Sequence, residues 1–284
     1  MSPADMAASL RRHFRILDDI ARDLSGDVVF PTCMDAAILI RDTLKDPEAN
    51  ITQVVQAVSL EPLISSKLLR LANSAKFNPR GHPILDLGTA IGRLGFEIVR
   101  TTSLATALDQ MLKSRKLAQY ADISRQTWEY SLQVAAIARV LAHHLGRVAP
   151  DNAMLAGMVH NIGAFYLLHR AADYPEYCDD EANLIELIAS AHAGIGESLL
   201  HLLGIPANIC TAVRDQHQLE NIAIPCSLSD ILYFAKQLAE LPEWQTERQS
   251  ADDIALRAAH RSTYRDLLNE ATSEIEELQA ALSA

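Results

Sequence analysis

An all-α fold is the expectation for this chain, and three features of its sequence predict it. Apolar residues recur at steps of three and four over long stretches, as they do along one face of a helix, while alternating strand-type patterning is almost absent. Proline, glycine and Asx residues interrupt those stretches at helix-length intervals. The composition is that of an ordinary globular protein, with 284 residues, 49% hydrophobic and 21% charged. Such a length suggests one large domain or two modest ones, and it can bury a core without disulfide staples.

In chain order, Leu10, Phe14, Leu17, Ile20 and Leu24 form a first amphipathic helix that stops at Ser25-Gly26-Asp27. Phe30-Pro31-Thr32 reads as an extended lead-in, because proline pushes its predecessor out of the α region. A helix from about Met34 to Leu44 ends at Asp46-Pro47. Asn50 or Thr52 can cap the next, with Val54, Val55 and Val58 inward. After Glu61-Pro62, Ile64 to Ala75 is helical, and Asn78-Pro79-Arg80-Gly81 is a loop. Leu87 to Leu112 reads as one or two helices, with Gly88, Gly92 and Gly95 allowing close packing. The polar run Lys113 to Asp122 is the best boundary between lobes. Beyond it come Thr127 to Leu145, a helix from Pro150 through His160-Asn161 to about His169, a loop at Tyr174 to Tyr177, and helices over Ala182 to Leu203, Pro206 to Gln216 and Ser227 to Ala239. The tail opens with the capping-box pattern Ser250-x-x-Asp253. It ends in an amphipathic stretch bearing Ile275, Leu278 and Leu282, which can pack back or pair with a second copy as a homodimer.

Charge and cysteine usage narrow the function classes. Lys+Arg 25 against Asp+Glu 36 gives a formal net charge of −11, which repels phosphate backbones and anionic membranes in the mean. Cys33, Cys178, Cys210 and Cys226 show no C-x-x-C spacing and read as reduced, buried thiols. The N-terminus lacks the apolar core of a signal peptide, and the most apolar stretch, Ala153 to Leu168, is too short to span a bilayer. A soluble cytoplasmic protein is the expectation. No phosphate loop, nucleophile elbow or H-E-x-x-H is present, and Gly194-Ile195-Gly196 lacks the third glycine of a dinucleotide fingerprint.

What remains is a scatter of histidines, His160, His192, His201 and His217, with Asp230 beyond. Imidazoles and a carboxylate on different helices can converge on one metal, although most histidines in a helical protein are surface or hydrogen-bonded core residues. In the first half, Val54 to Arg70 superficially reads as a helix-turn-helix, with Lys67, Arg70, Lys76 and Arg80 supplying positive charge. An ordinary pair of core helices is the preferred reading, and the acidic chain argues against nucleic acid.

Several blocks share one resemblance. Leu68 to Ala75 (LLRLANSA) and Pro83 to Gly95 (PILDLGTAIGRLG) resemble the HDOD family, as do Phe30-Pro31-Thr32 and Asp46-Pro47. Leu155 to Gly163 (LAGMVHNIG) is similar to the family's L-A-G-L-L-H-D-I-G, and His192-Ala-Gly-Ile-Gly-Glu, Gly204-Ile-Pro and the segment ending at His217 continue it. Met34 stands where the family carries a second proline. The resemblance covers roughly Asp27 to Ala239. It implies a two-lobed helical architecture with an HD-like helical core in the second lobe: an N-terminal helix over 1–26, a first lobe over 27–115, the HD-like lobe over 116–240 and a helical tail over 241–284.

HDOD modules resemble HD and HD-GYP phosphohydrolases, whose histidines and aspartates hold one or two metals and activate a water. Carried over position by position, that ligand set survives only in part. Tyr130 stands where the first histidine should fall, the paired His-Asp becomes His160-Asn161, His192 matches, the later His-His becomes Gln216-His217, and Asp230 matches the terminal aspartate. The G-Y-P element is absent. A neutral amide is a weak ligand for a dication, and Tyr130 would have to ionise far below its usual pKa of about 10 to bind as phenolate. The resemblance therefore implies a bacterial pseudoenzyme: no metal, no cofactor, and an output role in two-component (response-regulator) or cyclic-dinucleotide signalling through a signalling protein or small ligand. A residual metal-dependent phosphohydrolase and a DNA-binding regulator acting through residues 52–76 are the alternatives. Tyr130, His160, Asn161, His192, Gln216, His217 and Asp230 are expected in one vestigial cluster. Arg70, Asn73 and Arg93 are expected at the lobe interface or in partner contacts, although a simple C-terminal cap of its helix is the preferred reading of Asn73. The working surface is expected in the groove between the lobes.

Overall fold

The computed structural model describes residues 3–25, 34–46, 48–79, 81–178, 180–217, 224–246 and 248–282. Phe30-Pro31-Thr32, Cys33, Pro47 and Arg80 lie outside these. Among the described residues, 80% are helical and no strand occurs. No helix among them is long and apolar enough to cross a membrane.

The first lobe holds α2 (Asp35–Lys45), α3 (Ile51–Ser59), α4 (Pro62–Ala72), α5 (Leu87–Leu94) and α6 (Phe96–Leu112), preceded by α1 (Pro3–Ser25). Asn50 caps α3 by the reciprocal arrangement with Gln53. The stretch read as one or two helices from Leu87 is two. Gly95 takes φ +78°, a left-handed value that suits glycine, and thereby ends α5 and turns the chain into α6. On α1 the buried residues are Ile16 and Ile20, with Leu17 and Leu24 partly covered, whereas Phe14 is 72% exposed and leaves the expected stripe.

The second lobe holds α7 (Ala121–Leu145), α8 (Pro150–Val159), α9 (Ile162–Ala171), α10 (Pro175–Cys178), α11 (Glu181–Leu202), α12 (Ala207–Arg214) and α13 (Leu228–Leu238). Tyr174 to Tyr177, expected as loop, contributes the short α10. The helix expected to run unbroken from Pro150 to His169 is split at His160-Asn161. Asn161 adopts φ −98° and ψ 10°, outside the helical basin, so α9 leaves in a new direction. Asp151 does not cap α8; Ala149 holds that place and Asp151 pairs with Arg139 at 3.1 Å. Every residue from Ala153 to Val159 is buried, making α8 the central helix of the lobe.

Two glycines explain why four helices can crowd this centre. A Cβ on Gly157 would lie 2.5 Å from the Ala135 Cα, so α8 touches the backbone of α7. A Cβ on Gly163 would lie 1.9 Å from the His192 carbonyl oxygen, so α9 touches α11. The two glycines of the LAGMVHNIG block are thus contact points between helices.

The polar run at 113–122 is an anchored turn, since its 3-10 segment Arg115–Tyr120 buries Leu117 and Tyr120. One continuous apolar core passes through both lobes and into the tail. The tail forms α14 (Glu243–Thr246), α15 (Ala251–Thr263) and α16 (Arg265–Leu282), with Ser250 and Asp253 making the expected capping box. Ala271, Leu278, Ala281 and Leu282 are buried as α16 packs on α4, α6 and α7. The apolar face considered for homodimer pairing is therefore already covered within the chain. Glu274 ties it down, meeting Lys76 at 2.6 Å and Arg139 at 3.0 Å.

Candidate functional site

The break between α8 and α9 sets the centre of the site. His160 is fully buried, and its Nδ1 lies 2.7 Å from the Gly157 carbonyl oxygen. A carbonyl only accepts, so Nδ1 carries the proton and Nε2 is a bare lone pair, with no hydrogen-bond partner among the described residues. The Tyr130 ring stands edge-on against His160, with centroids 5.5 Å apart. Asn161 donates from Nδ2 to Ser131 Oγ at 3.1 Å, which holds the turn against α7.

The second histidine pair comes from α11 and the turn after α12. His192 Nδ1 donates to the Ile188 carbonyl at 2.7 Å, leaving its Nε2 to accept from His217 Nε2 at 3.1 Å. Gln216 donates from Nε2 to the His160 carbonyl at 3.1 Å and accepts from Lys236 Nζ at 2.7 Å. Tyr130 donates to the Lys236 carbonyl at 3.2 Å, and Arg257 reaches the same carbonyl at 2.9 Å. Tyr130, His160, Asn161, His192, Gln216 and His217 thus come together as expected.

Asp230 does not join them. Its carboxylate accepts from the Cys226 amide at 2.9 Å and the Ser227 amide at 2.8 Å, capping α13. Unsatisfied amides at a helix start hold a nearby carboxylate firmly, and this one is turned away from the cluster. Lys236, later on the same helix, is the α13 residue that reaches the site. Sequence reading missed Lys236, Arg257 and Trp244; the cue was a lysine among the apolar residues of α13, unreadable without the neighbouring helices.

Electrostatics follow from burial. Desolvation, then the Lys236 charge, pushes His160 well below its ordinary pKa and His192 down to about 4. His217 is lowered by the same two causes and by His192. Lys236 itself falls to about 7 through desolvation and the Arg257 charge. Burial raises the Tyr130 phenol, so it remains protonated. These residues do not fit a catalytic dication. Neutral imidazoles, a protonated phenol and an amide surround an ammonium, and no three His, Cys, Asp or Glu side chains among the described residues converge on one point.

A cleft of about 430 Å³ opens on this cluster between the second lobe and the tail, lined by Tyr130, Asn161, His192, Lys236, Trp244 and Arg257 among others. It does not lie between the two lobes, where the working groove was expected. The three interface candidates act inside the fold. Asn73 donates to the Leu69 and Ile84 carbonyls at 2.8 Å each and accepts from the Ile84 amide at 2.8 Å, clamping the loop after α4. Arg93 holds the Phe77 carbonyl at 3.0 Å, and Arg70 holds the Ala280 carbonyl of α16. Of the positive charges of the helix-turn-helix alternative, Arg80 lies outside the described residues and the other three are engaged: Arg70 on the Ala280 carbonyl, Lys67 fully buried against Asp109, and Lys76 paired with Glu274. Of the cysteines expected to be buried, Cys210 is, whereas Cys178 and Cys226 are exposed.

Known proteins share this architecture. A protein of Treponema pallidum (strain Nichols), itself uncharacterised, is 24% identical over 197 residues, or 63% of this chain. The chain spans only 36% of the length of that relative. A Shewanella amazonensis SB2B structure, provisionally named a metal-dependent phosphohydrolase, superposes with TM-score 0.72 at 19% identity, covering 95% of this chain and 99% of the other. A Marinobacter aquaeolei VT8 structure, provisionally named a signal transduction protein, gives TM-score 0.60 at 20% identity over 96% of this chain and 66% of the other. The HDOD domain family model matches residues 30–219, from the lead-in before α2 through the His192–His217 pair. With more than half of its length matched and the family's helical core in place, the chain belongs to the HDOD domain family.

Proposed function

We infer that this protein is a non-catalytic signalling module whose HD-type site has become a binding cleft. Lys236 carries this reading: an ammonium reaches into the cluster while Asp230 is held at the start of α13. A metal-activated water needs anionic or lone-pair donors around an ion, and a cation at that place opposes one. The signalling part draws on the Marinobacter structure with its provisional signal-transduction name, and the pathway, two-component or cyclic-dinucleotide, belongs to the same inference. The Shewanella structure's provisional name favours the opposite reading, a residual phosphohydrolase. The DNA-binding alternative is disfavoured by the engagement of Lys67, Arg70 and Lys76 within the fold.

The deciding experiment incubates the full chain with bis(p-nitrophenyl) phosphate and with Mn²⁺, Fe²⁺ or Mg²⁺, following nitrophenol release. No release above the buffer rate is expected with any ion. Turnover that is metal-dependent and disappears in His160→Ala at unchanged melting temperature would establish the phosphohydrolase instead.

A further inference from the structure

Lys67 is fully buried and Lys236 half-buried at the cleft, and they differ in what faces them. Lys67 meets the Asp109 carboxylate at 3.1 Å. Lys236 Nζ meets the Gln216 side-chain oxygen at 2.7 Å and the Gln216 carbonyl at 3.4 Å, and among the described residues no carboxylate pairs with it. Asp253, the acidic residue lining the cleft, is engaged by the Ser250 amide at 3.1 Å and hydroxyl at 2.6 Å. The nearby charge is positive, from Arg257. A half-buried ammonium without a counter-charge is held only weakly in its charged form, and Lys236 keeps one N–H donor beyond the two used on Gln216.

The cleft that opens on Lys236 is shaped to supply the missing charge. Its volume of about 430 Å³ lies in the range of small-molecule sites. Arg248 stands exposed on its wall, with no ion pair among the described residues. Trp244 and Tyr233 present aromatic rings, and the Trp244 Nε1 and Gln237 Oε1 atoms are buried with no hydrogen-bond partner among the described residues. In a molecule of net charge −11, this is a local cationic focus beside aromatic faces.

We propose that the cleft binds a small oxyanion, a carboxylate or phosphate carried on a planar ring, with its anionic oxygens on Lys236 Nζ and its ring against Trp244. Arg248 completes the charge match from the rim. This rests on the reading that the cleft binds without turnover, and the test separates the two.

The full chain is titrated calorimetrically with phenyl phosphate, benzoate and inorganic phosphate, and phenol release is followed in the same samples. One ring-bearing anion per chain is expected to bind saturably, inorganic phosphate more weakly, and no phenol should appear. Whether phenyl phosphate or benzoate binds better identifies the headgroup. Lys236→Met should weaken binding about tenfold or more, as expected for losing a charge-assisted hydrogen bond, and Arg248→Glu by about threefold or more. Arg22→Ala, on α1 away from the cleft, should change nothing. If Lys236→Met fails to fold, the exposed Arg248→Glu change decides. Absence of binding at millimolar ligand, or binding unaffected by these variants, overturns the oxyanion site and leaves the non-catalytic reading standing. Binding accompanied by phenol release keeps the site and overturns the non-catalytic reading.

Discussion

Gly163 and Gly194 are both helical glycines, yet they should respond oppositely to one added methyl group. At Gly163 the methyl would meet the His192 carbonyl at 1.9 Å, and backbone cannot yield as a side chain can. Gly163→Ala should therefore cost about 3 kcal/mol or more, read as a lowered melting temperature. At Gly194 nothing lies within 4 Å of the added atom. Gly194→Ala should be neutral or stabilising by up to about 1 kcal/mol, through helix propensity alone. His192 makes a second residue-scale prediction. It is neutral when folded, with a pKa of about 4, and titrates near 6.5 when unfolded, so the unfolded chain takes up the proton first. Its contribution is full above pH 6.5 and is lost as pH falls to about 4, by up to roughly 3 kcal/mol. Denaturant melts across that window should show the loss, and His192→Gln should make it shallower, while the likewise lowered His160 and His217 keep part of the slope. A wild-type profile as shallow as the variant's would refute the assignment.

At the scale of elements, the tail is held by specific charge contacts as well as by apolar packing. Lys67 on α4 is buried between Asp109 of α6 and the Leu282 carbonyl that ends α16. Removing one partner of a buried pair leaves a stranded charge, whereas removing both need not. Asp109→Ala should cost about 3–5 kcal/mol, while Lys67→Met combined with Asp109→Leu should be much nearer neutral. Equal losses in the single and double variants, measured by urea unfolding, would contradict this account. The α8–α9 break belongs to the same scale. Helical periodicity runs straight through His160-Asn161, because apolar residues on both sides keep the spacing of three and four. The backbone turn becomes visible only once Asn161 is seen bonded to Ser131 of α7.

For the whole molecule, a single apolar core through lobes and tail predicts cooperative unfolding. Far-ultraviolet circular dichroism and the fluorescence of the two tryptophans, Trp128 in α7 and Trp244 in α14, should give coincident midpoints. Separated midpoints would mean that the lobes unfold independently. The initial spectrum should be strongly helical, as the 80% helix content requires.

The all-α class, most helix positions, the caps at Asn50 and Ser250 and the family resemblance were legible in the sequence, because helical periodicity, capping and turn chemistry act between residues close along the chain. The gathering of Tyr130, His160, Asn161, His192, Gln216 and His217 was legible only through resemblance, since no local spacing relates residues on separate helices. Asp230 shows where such transfer stops: a carboxylate at that position can face a ligand or cap its own helix, and the amides of Cys226 and Ser227 decided for the cap. A sequence does not show which carbonyls lie near Arg70, Asn73 and Arg93: the C-cap reading of Asn73 holds, and folding turned each of the three onto a backbone carbonyl. Lys236 was an unremarkable lysine in an amphipathic helix. Tertiary packing alone placed its ammonium at the cleft with no carboxylate paired to it among the described residues, because desolvation and the identity of opposing charges are set by helices far apart in the chain.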